Sequence, residues 1–225
     1  MAEKIEKKTT SQKVNSVLEK NRKVLIIVLV IAFVALIGFI VWNITSTKIA
    51  EKNISELDTI SYELTNGSSS LEAEELSARI NTAKEKLEAY TKKSGITGVR
   101  ANMLSAEIAY SQKDYSKAID YWTAAISKGK RSYTAPLALY QLGVCYEQTN
   151  DLTKAAESYK KAADTKGFVL ASHALFSYAR VLESQNEYAK AVEAYQTIVS
   201  SYGDDEWANL AKTRILDLQI QGKAE

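Results

Sequence analysis

The strongest pattern in the chain is a run of apolar residues near its N-terminus. Residues 24–42 read VLIIVLVIAFVALIGFIVW, nineteen positions without a charge or a strongly polar group. As a helix they would extend roughly 28 Å, close to the hydrocarbon thickness of a bilayer. The alternatives are a buried helix of a soluble domain or a cleavable signal peptide. However, the run is longer than the usual apolar core of a signal and no small-residue cleavage motif follows. The pattern therefore predicts an uncleaved transmembrane signal anchor.

The charges around this run predict its direction. Residues 1–23 carry seven cations and three anions, whereas only Lys48 and Lys52 lie in the twenty residues after the run. Flanks rich in Lys and Arg stay on the cytoplasmic side. We therefore predict a basic cytoplasmic leader over residues 1–23, a single pass over residues 24–42, and residues 43–225 on the far side of the membrane.

Beyond the anchor, the hydrophobic pattern becomes a repeat. Three segments align without gaps: AYSQKDYSKAIDYW from Ala109, YEQTNDLTKAAESY from Tyr146, and LESQNEYAKAVEAY from Leu182. Each reads as the end of one helix, a polar turn, and a second helix in which an aromatic residue follows an alanine by four positions. The copies are 37 and 36 residues apart, a period typical of helical solenoids. We predict an all-α array of helix-turn-helix repeats over residues 97–203.

The repeated segments resemble the tetratricopeptide repeat (TPR). The middle copy carries the fullest signature, with Leu142-Gly143 and Tyr146 on the first helix, then Ala155 and Tyr159 on the second. This resemblance implies a TPR-type α-solenoid in which small residues let the two helices of a repeat approach closely. The outer copies lack the Leu-Gly pair, and none of the three has the usual proline after its second helix.

Helical patterns also flank the repeats. Residues 43–96 read as a helical stalk or a degenerate repeat. One face of this segment carries an apolar ladder of Leu76, Ile80, Ala83, Leu87 and Tyr90. Residues 204–225 read as a C-terminal capping helix, which a repeat array needs because its last interface is otherwise exposed and apolar. The spacing on that helix predicts inward positions for Trp207, Leu210, Ala211, Ile215 and Leu218.

Composition and charge narrow the functional classes. The chain has a net charge of +2, and because the leader contributes +4, the remainder sums to −2 and lacks the basic surface expected of a nucleic-acid-binding protein. His173 is the only histidine and Cys145 the only cysteine, and neither belongs to a metal-ligand or nucleophile motif. We expect a surface or groove histidine and a buried cysteine, with no enzymatic activity, cofactor, metal or small-molecule substrate.

The TPR resemblance implies a concave surface lined by the first helix of each repeat. Carried onto this chain, it gives a partner-binding groove formed by Arg100, Met103, Glu107, Tyr110, Leu137, Tyr140, Val144, Glu147, His173, Phe176, Arg180 and Glu183. Aromatic side chains flanked by charges of both signs suit an extended peptide or a partner helix. The alternative is a face that is merely solvated. The Lys/Asn clamp with which some TPR proteins hold a C-terminal carboxylate is missing here.

The whole layout is similar to that of the bacterial YfgM-like proteins: a short basic leader, one anchor ending near Trp42, and an all-helical TPR region beyond it. That resemblance implies an inner-membrane protein with a periplasmic repeat domain. Its expected partners are a Sec translocon subunit, a periplasmic chaperone or an exported client. Two other hypotheses stay open. One is a scaffold for another envelope machine, such as outer-membrane assembly, division or a secretion apparatus; the other is an enzyme or an accessory to one.

Overall fold

A computed structural model describes residues 18–130 and 132–223. Within these ranges all regular structure is helical, and the fold is all-α as the sequence predicts. The helices are α1 (Arg22–Thr65), α2 (Ala73–Thr91), α3 (Gly95–Ser111), α4 (Tyr115–Lys128), α5 (Ala135–Gln148), α6 (Leu152–Ala163), α7 (Ala171–Ser184), α8 (Tyr188–Ser201) and α9 (Glu206–Ile220), with one 3-10 turn at Ser68–Ser70. Residues 1–17 of the predicted leader lie outside the described part of the chain.

The chain divides into two units: residues 1–52, and residues 53–225, which are called the repeat unit from here on. In the described part of the first unit, the side chains of residues 24–42 on α1 are exposed and pack into no protein core. Such a large apolar surface is unfavourable in water. Helix α1 is long and apolar enough to cross a membrane.

The three predicted turns in the second unit fold alike. Each places one non-glycine residue in the left-handed region, with φ of 60° at Lys113, 59° at Asn150 and 61° at Asn186. The carboxylates of Asp114 and Asp151 then cap the next helix by accepting a backbone N–H three residues further on. Glu187 makes no such bond, although it forms the ion pair with the lysine three residues further on that both aspartates also form. The two aspartates are therefore N-caps, whereas the longer side chain of Glu187 is not.

Close packing within each helix pair depends on small residues at the predicted positions. On the second helices, Ala118, Ala155 and Ala191 are fully buried. Gly143 on α5 faces Tyr159 on α6 so closely that an added Cβ would lie 2.8 Å from the ring. Tyr159 is only 1% exposed and has little room to move away. The glycine of the TPR signature therefore marks a close helix approach.

Helices outside the three repeats extend this core at both ends. Leu57 and Ile60 of α1 pack with Leu87 of α2 and with the first helix of the array, α3. At the other end, Ala211 and Leu218 of α9 are buried against α7 and α8. The prediction that Leu210 also points inward is wrong: it is 43% exposed, because its position lies about 100° around the helix from the buried stripe.

Candidate partner-binding face

The twelve predicted groove residues, called the candidate face from here on, lie on the first helices of the three pairs. Helix α3 carries Arg100, Met103, Glu107 and Tyr110; α5 carries Leu137, Tyr140, Val144 and Glu147; α7 carries His173, Phe176, Arg180 and Glu183. Side-chain contacts run from α5 to α7 and onward to α9. The structure therefore joins part of the candidate face into one continuous row.

Aromatic rings form the centre of that row. The hydroxyl of Tyr140 lies 2.9 Å from Nε2 of His173. The His173 ring stacks on Trp207 of α9, with centroids 3.9 Å apart and planes 10° apart. Phe176 also packs against Trp207, with ring centroids 5.1 Å apart and planes tilted by 51°. All four side chains are half-buried. Trp207 thus belongs beside the candidate face, although its sequence pattern indicated only a capping role.

A tyrosine–glutamate–arginine triad links the second helix pair to the third. The buried Tyr159 hydroxyl on α6 donates to Oε2 of Glu147 on α5 at 2.5 Å, and Arg180 on α7 donates to the same oxygen at 2.7 Å. Burial, reinforced by the bond to Glu147, raises the pKa of Tyr159 well above its usual value. The hydroxyl therefore keeps its proton and stays a donor at any physiological pH.

The same triad recurs one repeat later. Tyr195 on α8 donates to Oε1 of Glu183 on α7 at 2.6 Å, and Nε of Arg214 on α9 donates to that oxygen at 3.1 Å. The sequence pattern picked out Glu147, Arg180 and Glu183 for the face but missed their partners Tyr159, Tyr195 and Arg214. A signal for the tyrosines was present, because the glutamates and the tyrosines each repeat at 36 residues.

The first copy is built differently. Arg100 forms an ion pair with Asp58 of α1, and Met103 and Tyr110 pack against the core of the first repeat. Tyr110 occupies the position that glutamate holds in the later copies, so within the described residues this copy forms no such triad. Glu107 is exposed at its outer side, but neighbouring protein displaces water around it, and this burial raises the pKa of its carboxyl.

Two members of the candidate face lie outside the aromatic row. Val144 packs into the interface around Tyr159 and Val181. Leu137 lines a separate cleft between two loops at one end of the helices. The accessible aromatic and charged side chains around the candidate face therefore lie mainly on α5, α7 and the start of α9. Partner binding by these residues stays a prediction.

The charge state of His173 follows from its surroundings. Burial lowers the pKa of its imidazole, nearby Arg180 lowers it further, and Asp205 opposes both. A neutral ring is therefore favoured, which suits its stacking on Trp207 and its bond with Tyr140. Asp205 also fixes the start of α9, because its carboxylate accepts the backbone N–H of Trp207 at 3.2 Å.

Cys145 is a packing residue of the hydrophobic core. Its side chain is fully buried in the core of the first two repeats. Burial raises the pKa of the thiol to about 11, partly offset by the Trp122 side chain. Little thiolate is present at neutral pH, and a buried thiol without thiolate character is a poor nucleophile.

Comparisons with known proteins identify the same repeat. Family models described as tetratricopeptide repeat match residues 105–169 and residues 173–205. A curated protein of Treponema pallidum (strain Nichols), named "TPR repeat-containing protein", is 26% identical over 130 residues. That alignment covers 58% of this chain and 54% of the relative, so the chain spans about half the length of the curated relative it matches.

The helical hairpins, the close packing at the small residues and the matched models define this region as a tetratricopeptide-type array. Repeats of this class are protein–protein interaction scaffolds and typically have no enzymatic activity. Nothing in residues 18–130 and 132–223 indicates catalysis.

We predict that the repeat unit loses stability as pH falls through the range in which histidine titrates. Because the folded pKa of His173 lies below its unfolded value, its contribution is present above about pH 6.5 and is lost as pH falls through the folded pKa. His173→Phe keeps a ring against Trp207 but removes this titration. The drop in thermal midpoint of the full chain between about pH 8 and about pH 5 should be larger for the wild type than for the variant.

Glu107 gives the opposite pH dependence of stability, since a carboxyl with a raised pKa makes a contribution to folding that is lost as pH rises. Because Glu107 is present in both the wild type and His173→Phe, its effect cancels when their thermal midpoints are compared. Equal drops in the two thermal midpoints would show that His173 does not titrate as its surroundings imply.

Proposed function

We propose that the chain is a membrane-anchored scaffold that binds an extended peptide or a helix of another protein across the candidate face. The observation that carries this proposal is the half-buried aromatic row of Tyr140, His173, Phe176 and Trp207. Aromatic side chains offer a large contact area, and side chains already held by their neighbours lose little conformational entropy on binding. Such a row suits recognition of apolar side chains spaced along a partner segment.

The charges beside the row favour a partner that binds through apolar and aromatic groups. Glu147 is neutralised by Arg180, and Glu183 is neutralised by Arg214. Ion pairs made within the protein leave little net charge to attract an oppositely charged ligand. We therefore expect these charged groups to form a polar rim that sets orientation, with most of the affinity coming from the aromatic centre.

We further propose that the scaffold sits in the bacterial inner membrane, with its N-terminus in the cytoplasm and residues 43–225 in the periplasm. The exposed apolar surface of α1 and the excess of Lys and Arg before it support this topology. The similarity in layout to YfgM-like proteins supports a role in protein export. The partner would then be a Sec translocon subunit, a periplasmic chaperone or an exported client.

A photo-crosslinking amino acid at Tyr140 or Phe176 of the full chain should capture one of those three kinds of export partner in intact cells, identified by mass spectrometry. The matched control is the same amino acid at Gln196, an exposed position on α8 outside the candidate face. Capture of a single subunit of another envelope machine would assign the alternative scaffold role. Equal capture at Gln196, or no protein captured at either face position, would overturn binding at the face.

The topology has a separate test. Protease added to spheroplasts should digest residues 43–225 while an epitope tag on the N-terminal leader stays protected. Detergent should then expose the tag, which controls for a leader that resists the protease. Full protection of the repeat unit before detergent would contradict the proposed orientation.

A further inference from the structure

Two loops of the repeat unit expose apolar side chains that the candidate face does not use. The α4–α5 loop exposes 85% of Tyr133, and the α6–α7 loop exposes 91% of Val169. Each loop connects the second helix of one pair with the first helix of the next, so both lie at the same edge of the array. We call this feature the loop edge and define it by Lys130, Tyr133, Lys166 and Val169.

The two loops border a shared apolar cleft of about 770 Å³. Its lining includes Ile126, Pro136, Leu137, Leu139 and Phe168. Tyr133 and Val169 are so exposed that they bury almost no apolar area against the rest of the protein, and they therefore contribute little to its stability. Their position at the tips of adjacent loops leaves them free to enter a neighbouring apolar phase.

The charge around the loop edge is mostly positive. The carboxylate at the start of the α6–α7 loop, Asp164, is paired with Lys160 of α6. Residues 123–146 and residues 165–182 contain no Asp or Glu, and Lys130 and Lys166 are both exposed. The next loop along the array, between α8 and α9, instead carries Asp204 and Asp205. The combination of exposed apolar groups with cations is therefore confined to the first two of these loops.

Hydrogen bonds connect the loop edge to the start of the repeat unit. Nζ of Lys128, just before the α4–α5 loop, donates to the carbonyl oxygen of Lys93 at 3.0 Å. Nζ of Lys93 donates to Oδ1 of Asn53 at 3.1 Å. Asn53 is the first residue of the repeat unit and follows Trp42 by eleven residues. Even a fully extended segment of that length reaches no more than about 40 Å.

We propose that the loop edge binds the anionic phospholipid surface of the membrane in which the chain is anchored. Tyr133 and Val169 enter the interfacial layer, and Lys130 and Lys166 lie at the lipid phosphates. Aromatic and aliphatic side chains beside lysines are the composition that interfacial binding requires. The contact is weak on its own, but the short tether to the anchor gives a high effective concentration of lipid. This inference rests on the membrane anchoring proposed above.

The test uses the full chain in vesicles, with an environment-sensitive fluorophore on Val169→Cys. Native Cys145 is fully buried and does not compete for the label. In phosphatidylcholine vesicles containing phosphatidylglycerol, we expect a blue-shifted emission that nitroxide-labelled lipid quenches and that added salt weakens. Pure phosphatidylcholine should give less quenching. A label on Gln148→Cys, exposed at the opposite end of α5 from Tyr133, should report water in both vesicle types.

Removing the two lysine charges of the loop edge tests the electrostatic part of the proposal. Lys130→Gln with Lys166→Gln should lower the ratio of quenched to unquenched label on the order of thirtyfold, since each lysine near an anionic surface contributes about fivefold. The matched variant, Lys113→Gln with Lys212→Gln, removes equal charge away from the loop edge and should leave the ratio unchanged.

Flotation of the vesicles separates the two proposals. If the chain floats with the vesicles and the Val169 label stays unquenched, the loop contact is overturned and the anchor stands. If the chain does not float with them, both are overturned. A blue shift without lipid quenching, equal in both vesicle types, would assign the loop edge to contact with protein and overturn lipid binding.

Discussion

A buried tyrosine hydroxyl needs a hydrogen-bond acceptor, and in this array the acceptor is a glutamate that an arginine from the following helix pair neutralises. Leaving such a hydroxyl unpaired costs about 1–3 kcal/mol, and leaving a partly buried carboxylate without a cation costs more. Tyr159 and Glu147 therefore satisfy each other only together with Arg180. The Glu147 carboxylate that accepts the hydrogen bond within one helix pair thus also holds the next pair through its ion pair with Arg180.

The second triad repeats this attachment between α7, α8 and α9. The aromatic row crosses the same two junctions, from α5 to α7 and from α7 to α9. When Arg180 and Arg214 hold α7 and α9 to their preceding pairs, the rings of Tyr140, His173 and Trp207 are brought to stacking distance. The aromatic part of the candidate face is therefore already formed in the absence of a partner. A preformed aromatic surface binds with a smaller entropic cost than one that must be assembled on contact.

Much of the fold is predictable from sequence because its signals are local. The alanines of the second helices and Gly143 each follow from spacing within about forty residues, and the structure confirms their close packing. The arginine partners of the triads and the role of Trp207 depend on how successive pairs pack, which no single repeat encodes. Leu210 shows where local spacing fails. Its spacing predicts an inward position at the edge of the apolar stripe of α9, but the packing of α9 leaves it exposed.

The loop edge escaped the sequence pattern for a related reason. Tyr133 and Val169 are separated by a full repeat, and their exposure depends on two loops meeting at one end of the array. The net charge of the chain beyond the leader is slightly negative, which hides a local excess of lysine. Local charge and exposure decide where a surface can bind, and both require the packed structure.

We infer that the tyrosine and the glutamate of a triad act as one unit. A double-mutant cycle with Tyr159→Phe and Glu147→Ala, followed by denaturant unfolding of the full chain in detergent, measures the coupling between them. We predict a coupling energy of about 1–3 kcal/mol. A parallel cycle pairing Tyr159→Phe with Glu107→Ala, a glutamate of the same face outside the triad, should be additive. Additive free energies of unfolding in both cycles would show that Tyr159 and Glu147 do not act as one unit.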